Sequence, residues 1–177
     1  MASTLEELQR VSPPPERPLA VDGDWSRVES DLGLCLPPDF KEFASTYGKG
    51  RFGRDEILVF HPLEWSNVRN SWSQRASHFR AWLDAGFNVP YPIFPEFEGL
   101  LPCAIVSDVN RINWLTRGSS ENWPLVYFDR DHGYFEVELK GLTFVEFLVD
   151  IVTGRSELMK RVNCEFTSPP EFEPCSE

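Results

Sequence analysis

The residues most suggestive of chemistry lie at 48–53, where the sequence GKGRFG matches the G-x-G-x-x-G pattern of phosphate-binding loops. In a dinucleotide fold these glycines follow a strand and open a helix, so that backbone amides face the pyrophosphate. Here the pattern follows a helical stretch and leads into a strand, and no kinase-like HRD segment comes after it. We therefore interpret it as a helix end followed by a turn, where glycine permits positive φ, and we predict no bound cofactor.

A second candidate for chemistry combines Asp129, Asp131 and His132, which are close together in the sequence. Carboxylate oxygens bind hard cations, but no further ligands are evident, and a solvated hairpin tip is the simpler interpretation. The other histidines, His61 and His78, lie elsewhere, and no HExxH or GxSxG motif occurs. We predict neither a metal site nor catalytic residues. A small hydrolase that uses Asp129, Asp131 or a histidine stays an open alternative.

The cysteines at positions 35, 103, 164 and 175 form no CxxC pair and have no metal-ligand spacing. Reduced thiols in a cytosol are the simplest interpretation, and a Cys164–Cys175 bridge stays open. The N-terminus has no basic segment followed by an apolar one, so it predicts no secretory signal. No apolar run approaches the roughly 20 residues that a membrane span needs. We expect a cytoplasmic protein that does not insert into a membrane.

The composition describes an acidic globular chain. It has 177 residues, a net charge of −11, 14 Phe and 6 Trp. The length favours one domain with a sizeable core. The charge excludes the basic footprint of a nucleic-acid-binding protein and favours a cationic partner.

Acidic residues of the second half could form a partner-binding surface. Alternation along residues 135–139 puts Glu136 and Glu138 on one face of a strand, and further acids lie in the adjacent loops. Trp123 lies in a polar loop beside them, where it could anchor a partner or plug the end of the sheet. The candidate partner-binding residues are Asp108, Glu121, Trp123, Asp129, Asp131, Glu136 and Glu138. A solvated acidic face without a partner is the alternative.

The N-terminal half predicts helices. Residues 3–11 combine a capping box with a short apolar stripe, but the prolines that follow stop any helix, so we interpret residues 1–22 as a flexible arm. Apolar spacing predicts helices over 24–33, 37–48 and 63–85, each ending at or beside a glycine. A short strand is predicted at 57–60.

The C-terminal half predicts an antiparallel meander. Its strands lie at 104–107, 112–115, 125–129 and 134–139, and a second capping box opens a helix that ends at Gly154. Helices followed by a meander and a closing helix indicate an α+β fold rather than a parallel sheet. We expect a single domain over residues 23–163, with an acidic tail at 164–177.

Several segments between residues 24 and 154 carry a family resemblance. They are 25–29 (WSRVE), 32–33 (LG), 36–40 (LPPDF), 47–50 (YGKG), 112–116 (INWLT), 122–126 (NWPLV) and 143–148 (TFVEFL). Together and in this order they resemble the SUKH superfamily, the Smi/Knr group. The chain departs from the family at 107–111, where SDVNR replaces a Gly-Asp-type turn before the Trp strand.

The resemblance implies a single α+β domain without shared catalytic residues. Most bacterial members are thought to be immunity proteins, which bind and block a toxin made by the same cell or its kin. We therefore expect a non-enzymatic immunity protein that neutralises a cognate bacterial protein toxin by stoichiometric occlusion, and a basic nuclease is one candidate toxin. Fungal relatives resemble regulatory scaffolds, so a regulatory or scaffold interaction module is the alternative. We expect no nucleic-acid or membrane partner, and a monomer or weak dimer.

Overall fold

The computed structural model describes residues 4–53, 56–130, 134–137, 139, 141–161, 166 and 168–175, with the backbone alone for 134–137, 159 and 161. Its helices are α1 (Thr4–Val11), α2 (Trp25–Leu32), α3 (Pro38–Tyr47), α4 (Val68–Asp84), α5 (Phe144–Val152) and α6 (Glu157–Arg161). Its strands are β1 (Gly50–Phe52), β2 (Ile57–Val59), β3 (Leu100–Val106), β4 (Asn110–Leu115), β5 (Leu125–Asp129), β6 (Tyr134–Val137) and β7 (Phe172–Pro174). None of the described helices is both long enough and apolar enough to span a bilayer.

The strands form one antiparallel sheet in the order β6-β5-β4-β3-β2-β1-β7. One face packs against α3 and α5, where Phe40 lies with its ring 4.9 Å from Trp114 and 5.4 Å from Phe144. The other face packs against α4, whose Trp72 donates a hydrogen bond from Nε1 to the Pro102 carbonyl at 2.7 Å. This arrangement confirms the predicted α+β domain with an antiparallel meander and a closing helix.

Local capping signals set the helix boundaries. The Asp24 carboxylate accepts hydrogen bonds from the Ser26 and Arg27 amides, and α2 ends at Gly33 in the left-handed region. The predicted capping box opens α5, with the Thr143 hydroxyl and the Glu146 carboxylate each accepting from the other's backbone amide. The helix predicted over 63–85 is shorter, because the Asn67 side chain caps the Asn70 amide and α4 begins after it.

The GKGRFG pattern ends α3 and forms β1, as the helix-end interpretation predicted. Gly48 has φ +70°, and a Cβ there would collide with the backbone of Leu19, whose carbonyl accepts a hydrogen bond from the Lys49 amide. Gly50 lies in β1, where a Cβ would meet the Glu173 carbonyl and the Phe172 ring. Both glycines are therefore required by close backbone approach within the fold.

The N-terminal segment is not the free arm that we predicted. Residues 4–11 form α1, which packs beside α3 and α5, and its Leu5 and Leu8 belong to the main core. Beyond the helix, the Ser12 carbonyl accepts a hydrogen bond from the Tyr47 hydroxyl at 2.7 Å. The prolines do end α1, as predicted, but the apolar stripe is buried by the turns that bring α1 back against the domain.

The predicted tail also contributes to the fold. Residues 172–174 form β7, which pairs with β1 at one edge of the sheet. The Phe172 ring lies 4.9 Å from Phe52 and 5.2 Å from Tyr47, and its side chain is buried. This part of the segment is therefore an edge strand anchored by an aromatic side chain. Cys164, and with it the Cys164–Cys175 bridge, lies outside the described residues.

Candidate protein-binding groove

The predicted acidic patch is divided between the two ends of the sheet. Asp108 lies in the β3–β4 turn and Asp129 at the end of β5, whereas Glu121 and Trp123 lie in the β4–β5 loop. Consecutive turns of a meander alternate between sheet ends, and the six residues of β4 separate these loops by about 17 Å. The described members therefore do not form one surface.

The seven predicted residues differ further in exposure. Asp108 and Glu121 are exposed, but Asp129 is only 4% exposed and does not belong to a surface patch. Glu136 lies in β6, with no description of its side chain, and Asp131 and Glu138 lie outside the described residues. The sequence pattern thus identified acids of the meander without showing which of them share a face.

Trp123 closes the end of the sheet, which was one of the two interpretations of its loop. Its side chain is buried, its ring lies 6.3 Å from that of Trp114, and its Nε1 donates to the Gly118 carbonyl at 3.2 Å. It is not an exposed anchor. One side of it still contributes to the wall of an adjacent groove.

That groove has a volume of about 510 Å³ and lies between three segments. Its walls are the end of α2 at 32–34, the segment 94–98 before β3, and the β4–β5 loop with Thr116, Gly118 and Trp123. Arg69 of α4 closes one side, with its guanidinium 5.6 Å from the Phe94 ring centre and donating to the Leu32 carbonyl. The groove is thus largely apolar and formed by parts of the chain that are distant in sequence.

Phe97 stands at the rim of this groove with 87% of its side chain exposed, the greatest exposure of any large apolar side chain that the structure describes. Hydrogen bonds hold its loop: the Glu96 amide donates to the Ile93 carbonyl, and the Thr116 hydroxyl donates to the Gly99 carbonyl. Ion pairs hold both flanks, with Arg80–Glu96 at 3.2 Å and Arg117–Glu98 at 3.1 Å. An exposed aromatic ring beside an apolar groove is typical of a protein-binding anchor.

The sequence interpretation missed Phe97. Its segment, residues 88–102, is proline-rich, and such a sequence is unsuited to long regular structure. Apolar residues in such a stretch are ordinarily buried under neighbouring elements, as Ile93 and Phe94 are here. The sequence gives only a weak indication that Phe97 is exposed. Two glutamates flank it, and charged residues prefer solvent.

The two histidines that the structure describes lie in different parts of the fold. His61 is buried against α3, where its Nε2 lies 3.3 Å from the Ala44 carbonyl, and His78 lies on α4. His132 lies outside the described residues. Among the residues that are described, no three His, Cys, Asp or Glu side chains are grouped to hold a metal ion.

The burial of His78 predicts that the folded protein loses stability as the pH falls. Burial and the charge of Arg111 lower its pKa from 6.5 to about 4, although its Nδ1 donates to the Arg75 carbonyl. The unfolded chain therefore binds this proton more readily, and His78 destabilises the fold increasingly as pH falls from 6.5 to 4, by about 3 kcal/mol at pH 4. Urea unfolding of the wild type and of His78→Gln at pH 7, 6 and 5 measures this difference. The prediction is wrong if both proteins lose stability in parallel.

Comparison with known proteins gives the family. The family model SUKH_6, described as SMI1-KNR4 cell-wall, matches residues 22–148. No curated protein and no solved structure matched the chain. The matched region contains α2, α3, α4, all strands from β1 to β6 and the first turn of α5, which is most of the domain described above. The chain therefore belongs to the SUKH_6 family of the SMI1-KNR4 type, as the resemblance of its motifs indicated.

Proposed function

We propose that this protein is an immunity protein that binds a cognate bacterial protein toxin and neutralises it by stoichiometric occlusion. Membership of the SUKH family is consistent with an immunity role in general. The observation that carries the proposal is Phe97, which lies at the rim of an apolar groove with 87% of its side chain in solvent. Exposing a phenylalanine in this way disfavours the free protein, and a partner that covers it recovers the lost hydrophobic free energy.

The groove supplies the other elements that a tight interface needs. Its apolar walls accept a side chain of the partner while Phe97 inserts into the partner's surface, so that the two anchors interlock. The rim is polar, with the ion pairs Arg80–Glu96 and Arg117–Glu98 on either side of Phe97, which matches the apolar centre and polar rim of protein interfaces. An interface of about 1,600 Å² around such a centre is sufficient for tight sequestration.

The net charge of this chain favours a basic toxin as its partner. The net charge of −11 attracts a cationic surface and accelerates encounter, whereas the charges at the groove itself are mixed and largely paired. Glu121 is exposed beside Trp123, and among the described residues it has no ion-pair partner. A nuclease holds phosphate in a cationic cleft. An acidic protein that covers such a cleft excludes the nucleic acid without any catalysis of its own.

Co-expression tests the proposal directly. Each candidate toxin encoded beside this chain's gene is expressed alone and together with the chain, and we expect one to arrest growth alone and to be harmless in the pair. The purified pair should form a 1:1 complex by calorimetry, and the toxin's activity should fall in proportion to the chain added. A toxin from an unrelated strain serves as the specificity control. Neighbouring proteins that are harmless alone, or that stay toxic with the chain present, contradict the proposal.

A further inference from the structure

A second groove, with a volume of about 380 Å³, lies beside α4, between this helix and strands β2, β3 and β4. Its floor is a cross-strand row in which Leu58 of β2 pairs with Ile105 of β3, and Ile105 pairs with Arg111 of β4. Arg75 and His78 of α4 form one wall, together with Phe60. The groove therefore combines an apolar floor with cationic and imidazole nitrogen groups at one end.

Arg111 is the unusual residue of this groove. Its side chain is half-buried, and within the described part of the chain its guanidinium makes one hydrogen bond, from Nη1 to the Asn110 carbonyl. No described carboxylate lies within ion-pairing distance, although Asp108 exerts a favourable field from further away. A guanidinium has five N–H donors, and that of Arg111 lines the groove. The chain has a net charge of −11, and yet none of the carboxylates that the structure describes pairs with this arginine.

Neighbouring groups raise the positive potential around it. Burial, and after it the charge of Arg130, lower the pKa of Arg111, so a second cation contributes to the potential at this site. Arg75 is fixed with its guanidinium 4.0 Å from the Trp65 ring centre and 4.9 Å from that of Phe60. The His78 Nε2 atom is buried without a hydrogen-bond partner in the described chain. Because the His78 Nδ1 donates to the Arg75 carbonyl, this Nε2 is an acceptor and does not itself attract an anion. An anion beside Arg111 would be attracted by the guanidinium and would accept hydrogen bonds from it.

We propose that this groove binds an organic carboxylate, with its carboxylate group on the Arg111 guanidinium and its apolar body against Leu58, Phe60 and Ile105. Arginine pairs with carboxylate in a planar, bidentate geometry, which suits a single fixed guanidinium. The apolar floor selects against a fully hydrated inorganic anion, because covering it with such an ion gains no hydrophobic free energy. The net charge of the protein disfavours a doubly charged phosphate more than a singly charged carboxylate.

Phenylacetate is a suitable probe, and its neutral amide, phenylacetamide, is the matched control. Titrations of the purified protein are followed by NMR of the indole and arginine side-chain N–H groups. We expect phenylacetate to bind with a Kd on the order of millimolar, typical of a ligand with about ten heavy atoms, and phenylacetamide to bind at least tenfold more weakly. Phenyl phosphate should bind no more tightly than phenylacetate.

Two variants locate the site. Arg111→Gln should weaken phenylacetate binding at least tenfold, whereas Arg10→Gln, on α1 in the opposite layer, should leave it unchanged. Circular dichroism establishes that each variant is folded, and the comparison of phenylacetate with phenylacetamide on the wild type stands even if Arg111→Gln fails to fold. Equal binding of the acid and its amide, or undiminished binding by folded Arg111→Gln, would overturn the proposal. Tighter binding of phenyl phosphate would overturn the preference for carboxylate.

Discussion

Replacing Phe97 with alanine should weaken binding of the cognate toxin by about 30- to 1,000-fold, the range of a central hot-spot residue, and leave the fold as stable as the wild type. The two expectations have one cause. Because the ring is 87% exposed, its removal deletes almost no packing within the free protein, but it deletes the apolar surface that a partner would cover. Calorimetry with the purified toxin measures the affinity, and thermal unfolding measures the stability.

Phe87→Ala is the matched control for this experiment. Phe87 is also an exposed aromatic, at 54%, but it follows α4, lies outside the groove and contacts the Trp82 ring at 4.4 Å. Its removal should leave the affinity within a factor of about two, as for most residues outside a hot spot. Toxin binding unchanged in Phe97→Ala would show that the contact surface lies elsewhere. In that case the immunity function could still hold while the groove would lose its assigned role.

Helices and strands were predictable where residues within the element itself determine its bounds. Asp24 and the Thr143–Glu146 capping box set helix starts through hydrogen bonds within one turn, and both are where the sequence placed them. Strand β5 was predicted with its observed bounds, since its residues are buried on both faces and read as one apolar run. These features require no knowledge of what packs against them.

The missed elements depend on distant partners. Strand β1 has three residues and a glycine, and it exists because β2 and β7 pair with it on either side. β7 in turn is fixed by Phe172, whose ring packs among Phe43, Tyr47 and Phe52. A sequence window around Phe172 contains prolines and acids only, so nothing local distinguishes it from a tail.

The candidate site was less predictable than the fold, and for a related reason. A partner-binding surface is defined by which side chains remain exposed after folding, and that is a property of the tertiary structure. The sequence predicts one acidic patch on the meander, but the alternation of its turns separates Asp108 from Glu121 by the length of a strand. Phe97 was overlooked because its exposure depends on hydrogen bonds to segments far along the chain.

The same observations change how the scaffold alternative can be tested. If residues 1–22 and the acidic tail were free segments, removing both would abolish a scaffold function that depends on them and would spare toxin neutralisation. Because α1 and β7 are packed into the domain, removing both ends would damage the core, and loss of function would not discriminate between the two hypotheses. Point substitutions at exposed positions, such as Phe97→Ala, are the informative alternative.

Leu8→Ala should destabilise the protein by about 2–5 kcal/mol and lower its Tm by roughly 5–15 °C, the effect of a cavity in a well-packed core. Leu8 is fully buried, and α1 presents it toward α3 and α5. A residue of a free arm would show almost no change on the same substitution, so the measurement separates the two descriptions of the N-terminal segment. Chemical and thermal unfolding followed by tryptophan fluorescence report the difference.

Arg10→Ala controls for helix propensity and charge, because Arg10 lies on the exposed side of α1, two residues from Leu8. It should change the free energy of unfolding by no more than about 0.5 kcal/mol. If Leu8→Ala were equally mild, α1 would contribute little to the core, and truncation of the N-terminus would again discriminate between an immunity protein and a scaffold. A large effect of Leu8→Ala alone instead makes the first turns of the chain part of the domain, so every functional test must use the full sequence.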